Sequence, residues 1–205
     1  MNETNDDMFI TSKRRYSNNP ITTISTTGNW VAPEGYHSIK VEAWGGGKSG
    51  YQGGRGGSYA RLDSYSVSAG NSYFISVGRG GISTNLSSQT ILSGSYFVTQ
   101  SLLYAATGAE TSIGDATYSG GYAGTGSVYP QFPGGGGSAF ENANGGDGSG
   151  IIGGIGKGNG GNGSTGLTGS IGNIPGGGGG GGESQFGLNS GGNGANGLVY
   201  ITKLN

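Results

Sequence analysis

The chain has 205 residues, of which 51 are glycine and none cysteine, and its 10 Lys and Arg against 11 Asp and Glu leave a net charge of −1. Near-neutral charge excludes an electrostatic footprint for nucleic acid or an anionic membrane, and zero cysteines exclude disulfides and thiolate metal sites. A hydrophobic content of 31% with 12 Tyr, 6 Phe and 2 Trp is more than a disordered linker carries, and five Pro with a broken glycine repeat exclude a collagen triple helix.

Residues 1–25 read as a polar N-terminal arm, with a basic cluster at Lys13, Arg14, Arg15 and Tyr16 suited to attachment or inter-subunit contact. No apolar run follows a basic region there, so no signal peptide is expected. Nothing reaches transmembrane length, so no membrane insertion is expected.

From Ile21 to about Val77 the pattern has period two. Ile39, Val41 and Ala43 alternate with Lys40, Glu42 and Trp44, and Tyr73, Ile75 and Val77 alternate with Phe74 and Ser76. β-Branched and aromatic residues separated by turn residues, such as Pro33 to Gly35 and Ala69 to Asn71, predict antiparallel strands. The stretch Ile82 to Ala106 predicts one or two more strands. Glycine then dominates from Gly108 to Gly197, with unbroken runs at Gly134–Gly137 and Gly176–Gly182. Leu198 to Leu204 reads as a closing strand that pairs back into the sheet. No helical periodicity extends over ten residues.

Within the glycine-rich half, Gly160, Gly163, Gly166, Gly169 and Gly172 keep a strict three-residue period, which Gly191, Gly194 and Gly197 repeat. Three residues per turn is the period of the polyproline II helix, and five such repeats would span roughly 40 Å at its rise per residue. An isolated helix of this kind has no internal hydrogen bonds, so ordering requires neighbours close enough to pair its backbone groups. Side-chain-free edges permit that approach. Aliphatic residues such as Leu167, Ile171 and Ile174 are then expected on outer edges or lining one face of the bundle.

Several catalytic and ligand motifs fail on context. GxGxxG patterns open at Gly158, Gly161 and Gly192, but none lies between a strand and a helix. Gly47-Lys48-Ser49 resembles the end of a phosphate-binding loop, yet Glu42 stands where glycine should open it. Gly145 to Gly148 lacks the following Asp of a calcium-binding repeat. His37 is the sole histidine, so no histidine-based triad or multi-histidine metal site can form. No catalytic residue, cofactor or metal is expected. Aromatic residues in Gly-, Ser- and Asn-rich surroundings, Tyr118, Tyr122, Tyr129, Phe132 and Phe140, are the candidate receptor-binding loop residues.

The succession Thr26 to Gly35, Ser38 to Gly47, Gly56 to Ala60, Val67 to Gly70 and Tyr73 to Gly81, closing with the seven-glycine run and Gly191 to Ile201, resembles the glycine-rich domain of bacteriophage tail-fibre and adhesin proteins. The resemblance covers most of residues 26 to 202. It implies an all-β fold, an antiparallel β-sandwich fused to a bundle of glycine-rich polyproline II (polyglycine II) helices over residues 26–205. The glycine-rich extracellular domains of leukocyte and anaplastic lymphoma receptor kinases are similar. It also implies a non-enzymatic tail- or head-fibre component at a virion surface, with other virion structural proteins as partners and a host surface glycan or outer-membrane protein as receptor. A homo-oligomer is compatible with these features. The alternative from another class is a free ligand- or ice-binding protein built on the same lattice.

Overall fold

The computed structural model describes residues 21–50, 53–83, 89–90, 93–108, 110–125, 131–164, 168–182 and 191–204. Lys13, Arg14, Arg15, Tyr16, Tyr129, Gly166 and Leu167, singled out above, lie outside the described residues.

The described residues are all-β, without helices, and every strand pairing is antiparallel. In chain order the strands are β1 (Ile21–Ile24), β2 (Gly28–Val31), β3 (Ser38–Trp44), β4 (Tyr59–Ser66), β5 (Ser72–Ser76), β6 (Ile82–Ser83), β7 (Gln89–Thr90), β8 (Ser95–Phe97), β9 (Leu103–Ala105), β10 (Ala116–Tyr118) and β11 (Leu198–Leu204). A five-stranded sheet runs β1-β11-β3-β4-β10, a four-stranded sheet runs β2-β5-β8-β9, and β6 pairs β7. The period-two pattern places Ile39, Val41 and Ala43 of β3 with Val199 and Ile201 of β11 in one core. Trp30, Ile75, Phe97 and Leu103 of the four-stranded sheet complete that core, an arrangement consistent with a β-sandwich. Tyr73 stacks on Phe97 at 5.9 Å between ring centroids, and Tyr65 meets Phe97 edge-on at 5.2 Å.

Three sequence expectations change. Ile21–Ile24 belongs to the sheet rather than to the arm 1–25, because β1 pairs in register with β11, from Ile21 opposite Thr202 to Ile24 opposite Val199. Ile82 to Ala106 forms four short strands rather than one or two, and only β8 and β9 join the main sheets. Residues 116–118, inside the glycine-rich half, form β10 on the edge of the five-stranded sheet.

The closing strand β11 lies between β1 and β3, so the glycine-rich half is inserted between two strands of one sheet. Its extended segments pair laterally through backbone hydrogen bonds with a three-residue repeat. In segment 132–139, the N–H groups of Phe132, Gly135 and Ser138 donate to Ser164, Gly161 and Gly158. Those of Gly134 and Gly137 donate to Gly150 and Gly146, and those of Gly136 and Ala139 to Gly54 and Gly57, all at 2.8–3.0 Å. Successive residues thus point their donors in three directions. Including the bonds it accepts, this segment is ringed by segments 53–58, 119–125, 144–150, 151–156, 158–164 and 176–182. Segment 176–182 is ringed in turn by 45–50, 53–58, 132–139, 158–164, 168–173 and 191–197.

This geometry explains why glycine occurs both in unbroken runs and at every third position. Gly134–Gly137 and Gly176–Gly182 are buried throughout, and each direction a side chain could take is filled by another backbone. A Cβ on Gly136 would run into the carbonyl of Gly121, and one on Gly179 into that of Gly192. Peripheral segments have one open direction, so every third residue carries an exposed side chain: Ile152 and Ile155, Asn159 and Asn162, Asn193 and Asn196.

Candidate functional site

The base of the glycine-rich lobe is fastened to the sheet by the second face of β3. While Ile39, Val41 and Ala43 face the sandwich core, Trp44 packs on the opposite side with Tyr59, Ala139 and Leu198. The Trp44 indole donates from Nε1 to the Ala139 carbonyl at 2.9 Å. Tyr118 and Tyr200 border this cluster, with ring centroids 6.1 Å from Tyr59 and 5.3 Å from Trp44. Glu42 is buried here, and its carboxylate is matched by Lys40 at 2.7 Å and by the Tyr59 hydroxyl, which donates to it at 2.8 Å. Burial, reinforced by the hydrogen bond and charge of Glu42, pushes the Tyr59 phenol far above its ordinary value. This carboxylate thus ties β3 to β4 through the Tyr59 hydroxyl.

The aromatic candidates do not form one patch. Tyr118 sits on β10 rather than in a loop, half-buried with its ring against Tyr59. Phe132 and Phe140 are half-buried at opposite ends of the extended stretch 132–140, eight residues apart in sequence. Phe140 lies at the sheet end, where Ala139 meets Trp44, and Phe132 at the far end, where its N–H bonds Ser164. Segment 119–125 runs antiparallel to 132–139, with Gly121 donating to Gly137 and Gly124 to Gly134, so Tyr122 falls midway between them.

Tyr122 is the most exposed of these candidates among the described residues, at 57%. Its ring lies under the Arg55 guanidinium, whose central carbon is 3.5 Å from the ring centroid. Its backbone is clamped on both sides: the N–H donates to Asp147 Oδ1 at 2.7 Å, and the carbonyl accepts from Gly148 at 2.9 Å. The ring is thus held under a cation on a fixed backbone, and neither Arg55 nor Asp147 was marked by the sequence as its partner.

The period-three glycines Gly160, Gly163, Gly169 and Gly172 face the backbones of Gly135, Phe132, Gly180 and Gly177, and Gly191, Gly194 and Gly197 face those of Gly50, Gly47 and Trp44. The asparagines between them have a role that the sequence reading missed. Asn162 and Asn159 accept from the N–H groups of Gly153 and Gly156 at 2.9 and 3.1 Å, and Asn193 and Asn196 from those of Ser83 and Gly80 at 2.8 and 2.9 Å. Asn144 and Asp147 treat Ser119 and Tyr122 the same way. At these six edge positions a side-chain oxygen thus takes the place of a neighbouring carbonyl. Two of the GxGxxG patterns and the calcium-like Gly145 to Gly148 are these edge ladders. Repeated Asn or Asp at three-residue spacing beside glycine was the available signal.

Beyond the lobe, Tyr104 donates to Glu110 at 2.6 Å, and burial, with that hydrogen bond, pushes its phenol up to about 12. Lys157 and Glu141 form an ion pair near the Trp44 ring. Burial alone would raise the Glu141 carboxyl, but the bond to Lys157, a backbone hydrogen bond and the charges of Lys157 and Lys40 together outweigh it and hold the group below the usual range. Among the described residues no group of three His, Asp or Glu side chains could hold a metal ion, and no helix is long and apolar enough to cross a membrane. No protein-family model matches the chain, and no curated protein is similar to it.

Proposed function

We propose that the chain is a non-enzymatic structural protein of a virion surface, a tail- or head-fibre component whose glycine-rich lobe is a bundle of polyglycine II helices standing on a β-sandwich base. The observation that carries this reading is the hydrogen-bond repeat of segments 132–139 and 176–182. Donors pointing in three directions in strict succession, with six segments around each, fit a three-residue helical turn packed hexagonally. A lobe whose interior is backbone can vary every third residue on its outer edges without disturbing its packing. That property suits a surface that must change its receptor.

The exposed Tyr122 with Arg55 is the contact element on this reading, directed at a host surface glycan or outer-membrane protein. Residues 1–20, with Lys13, Arg14, Arg15 and Tyr16, attach the chain to other virion proteins. Near-neutral charge argues against nucleic acid as a partner. Two measurements test the proposal. Deleting residues 1–20 should abolish incorporation into particles while the remaining domain still folds, and normal incorporation would remove the attachment role. Particles carrying Tyr122→Ala with Arg55→Ala should adsorb to host cells at least about tenfold more slowly, and unchanged adsorption would remove the adhesin role.

A further inference from the structure

A groove of about 320 Å3 runs along segment 158–164 between segments 151–156 and 168–173, lined by Gly153, Ile155, Asn159, Asn162, Ser170 and Ile171 among others. Its floor continues the lattice. On one side Gly160 and Gly163 donate to Gly154 and Ile151, and on the other Ser170 and Asn173 donate to Asn162 and Asn159. In the third direction the backbone N–H groups of Asn159 and Asn162, three residues apart, have no acceptor among the described residues. The rims are apolar. Ile155 and Ile171 are 70% and 66% exposed, and Ile152 and Ile174 extend each row three residues further at 64% and 61%. Among the described residues no charged side chain lines the groove.

We propose that this groove binds a proline-rich segment of a partner protein in the polyproline II conformation. The proposal rests on reading the lobe as a polyglycine II bundle, because the groove is then the next lattice position outward. Inside the lobe, positions bordered in this way are taken by another extended segment of the same pitch, as 176–182 is against 158–164 and 168–173. Three features select the occupant. A helix of three residues per turn turns a carbonyl to the same side at every third residue, matching the spacing of the Asn159 and Asn162 donors. Proline has no N–H, so a groove that offers donors leaves no donor of the partner unpaired. The pyrrolidine rings pack against the Ile155 and Ile171 rims, and the preformed helix loses little entropy on binding. A charged peptide would gain nothing from the neutral lining.

The test is an amide NMR titration of the isotope-labelled full chain with acetyl-(Pro-Pro-Gly)3-amide, which is too short to form a triple helix. Saturable shifts are expected at Gly153, Ile155, Asn159, Asn162 and Ile171, and Ile155→Asp with Ile171→Asp should weaken binding at least about tenfold. Both positions are exposed, so the double variant should melt with the parent chain, and Val31→Asp, another exposed apolar position, should leave binding unchanged. The proposal is overturned by the absence of saturable shifts in the groove, or by shifts that survive the double substitution. It is equally overturned by shifts of the same amides that depend on protein concentration alone, which would give the groove to a second copy, or by saturation with maltotriose, which would give it to a glycan. Failure of the lattice reading would register separately, in the melting of glycine variants far from the groove.

Discussion

Gly136 offers the sharpest test of a core made of backbone. Replacing it with alanine adds one methyl group at a buried position whose N–H donates to Gly54 and whose carbonyl accepts from Gly178, both at 2.9 Å. The new Cβ would collide with the Gly121 carbonyl and lie 2.8 Å from that of Tyr122. Both obstacles are main chain, so no side-chain rotation relieves them. Restoring ordinary contact requires segments 119–125 and 132–139 to part by on the order of 1 Å. The bonds from Gly121 to Gly137 and Gly124 to Gly134, now 2.8 and 2.9 Å, would then pass beyond hydrogen-bonding distance. Two such bonds contribute about 1 kcal/mol each, and overpacking adds about 1–3 kcal/mol, for a loss of roughly 3–5 kcal/mol. In a chain of this size that lowers the melting temperature by roughly 6–20 °C. Calorimetry, with Trp30 and Trp44 fluorescence as a second probe, measures it. Gly28→Ala in β2 is the control, because no atom lies within 4 Å of its Cβ position, and it should be neutral or stabilising by up to about 1 kcal/mol. If Gly136→Ala melts no lower than Gly28→Ala, the close-packing argument is wrong.

Removing an edge ladder with Asn159→Ala and Asn162→Ala should cost about 0.5–1 kcal/mol per site, since water can replace the lost acceptor. Hydrogen exchange at Gly153 and Gly156 should quicken while Gly135 stays protected; uniform change across the lobe would contradict a local cap. Burial raises the Tyr59 phenol, so its contribution is fully present below the unfolded value of about 10 and is lost as pH rises above it. Tyr59→Phe should therefore be less stable at neutral pH by about 1–2 kcal/mol, with Glu42 losing a donor, yet lose less stability than the parent chain between about pH 10 and 12. Equal alkaline slopes in urea titrations at stepped pH would refute that assignment.

Much of the sheet region was legible because its signal is local. The alternation Ile39, Val41, Ala43 identifies the buried face of β3, and the run Leu198 to Leu204 identifies β11. The opposite face of β3 was harder to read, since Glu42 and Trp44 are buried by partners distant in sequence, Tyr59 for both and Ala139 and Leu198 for Trp44. β10 escaped notice because Ala116–Tyr118 is three residues long and takes its order from pairing with β4. The three-residue period pointed to glycines that face other backbones, but period alone does not say which segments are central. Unbroken runs do, since only a segment enclosed on every side has no position free for a side chain. The aromatic candidates were chosen by local composition, which carries no information about distance along a straight segment. That is why Phe132 and Phe140 were grouped although a whole segment separates them.

Native-state hydrogen exchange of the glycine amides at 134–137 and 177–181, compared with Val41 and Ile201 in the sheets, tests most directly whether glycine forms the interior of this lobe. A backbone-packed interior predicts slow exchange, with opening free energies approaching those of the sheet amides. Exchange at the rate of an unfolded chain, with the sheets still protected, would contradict it.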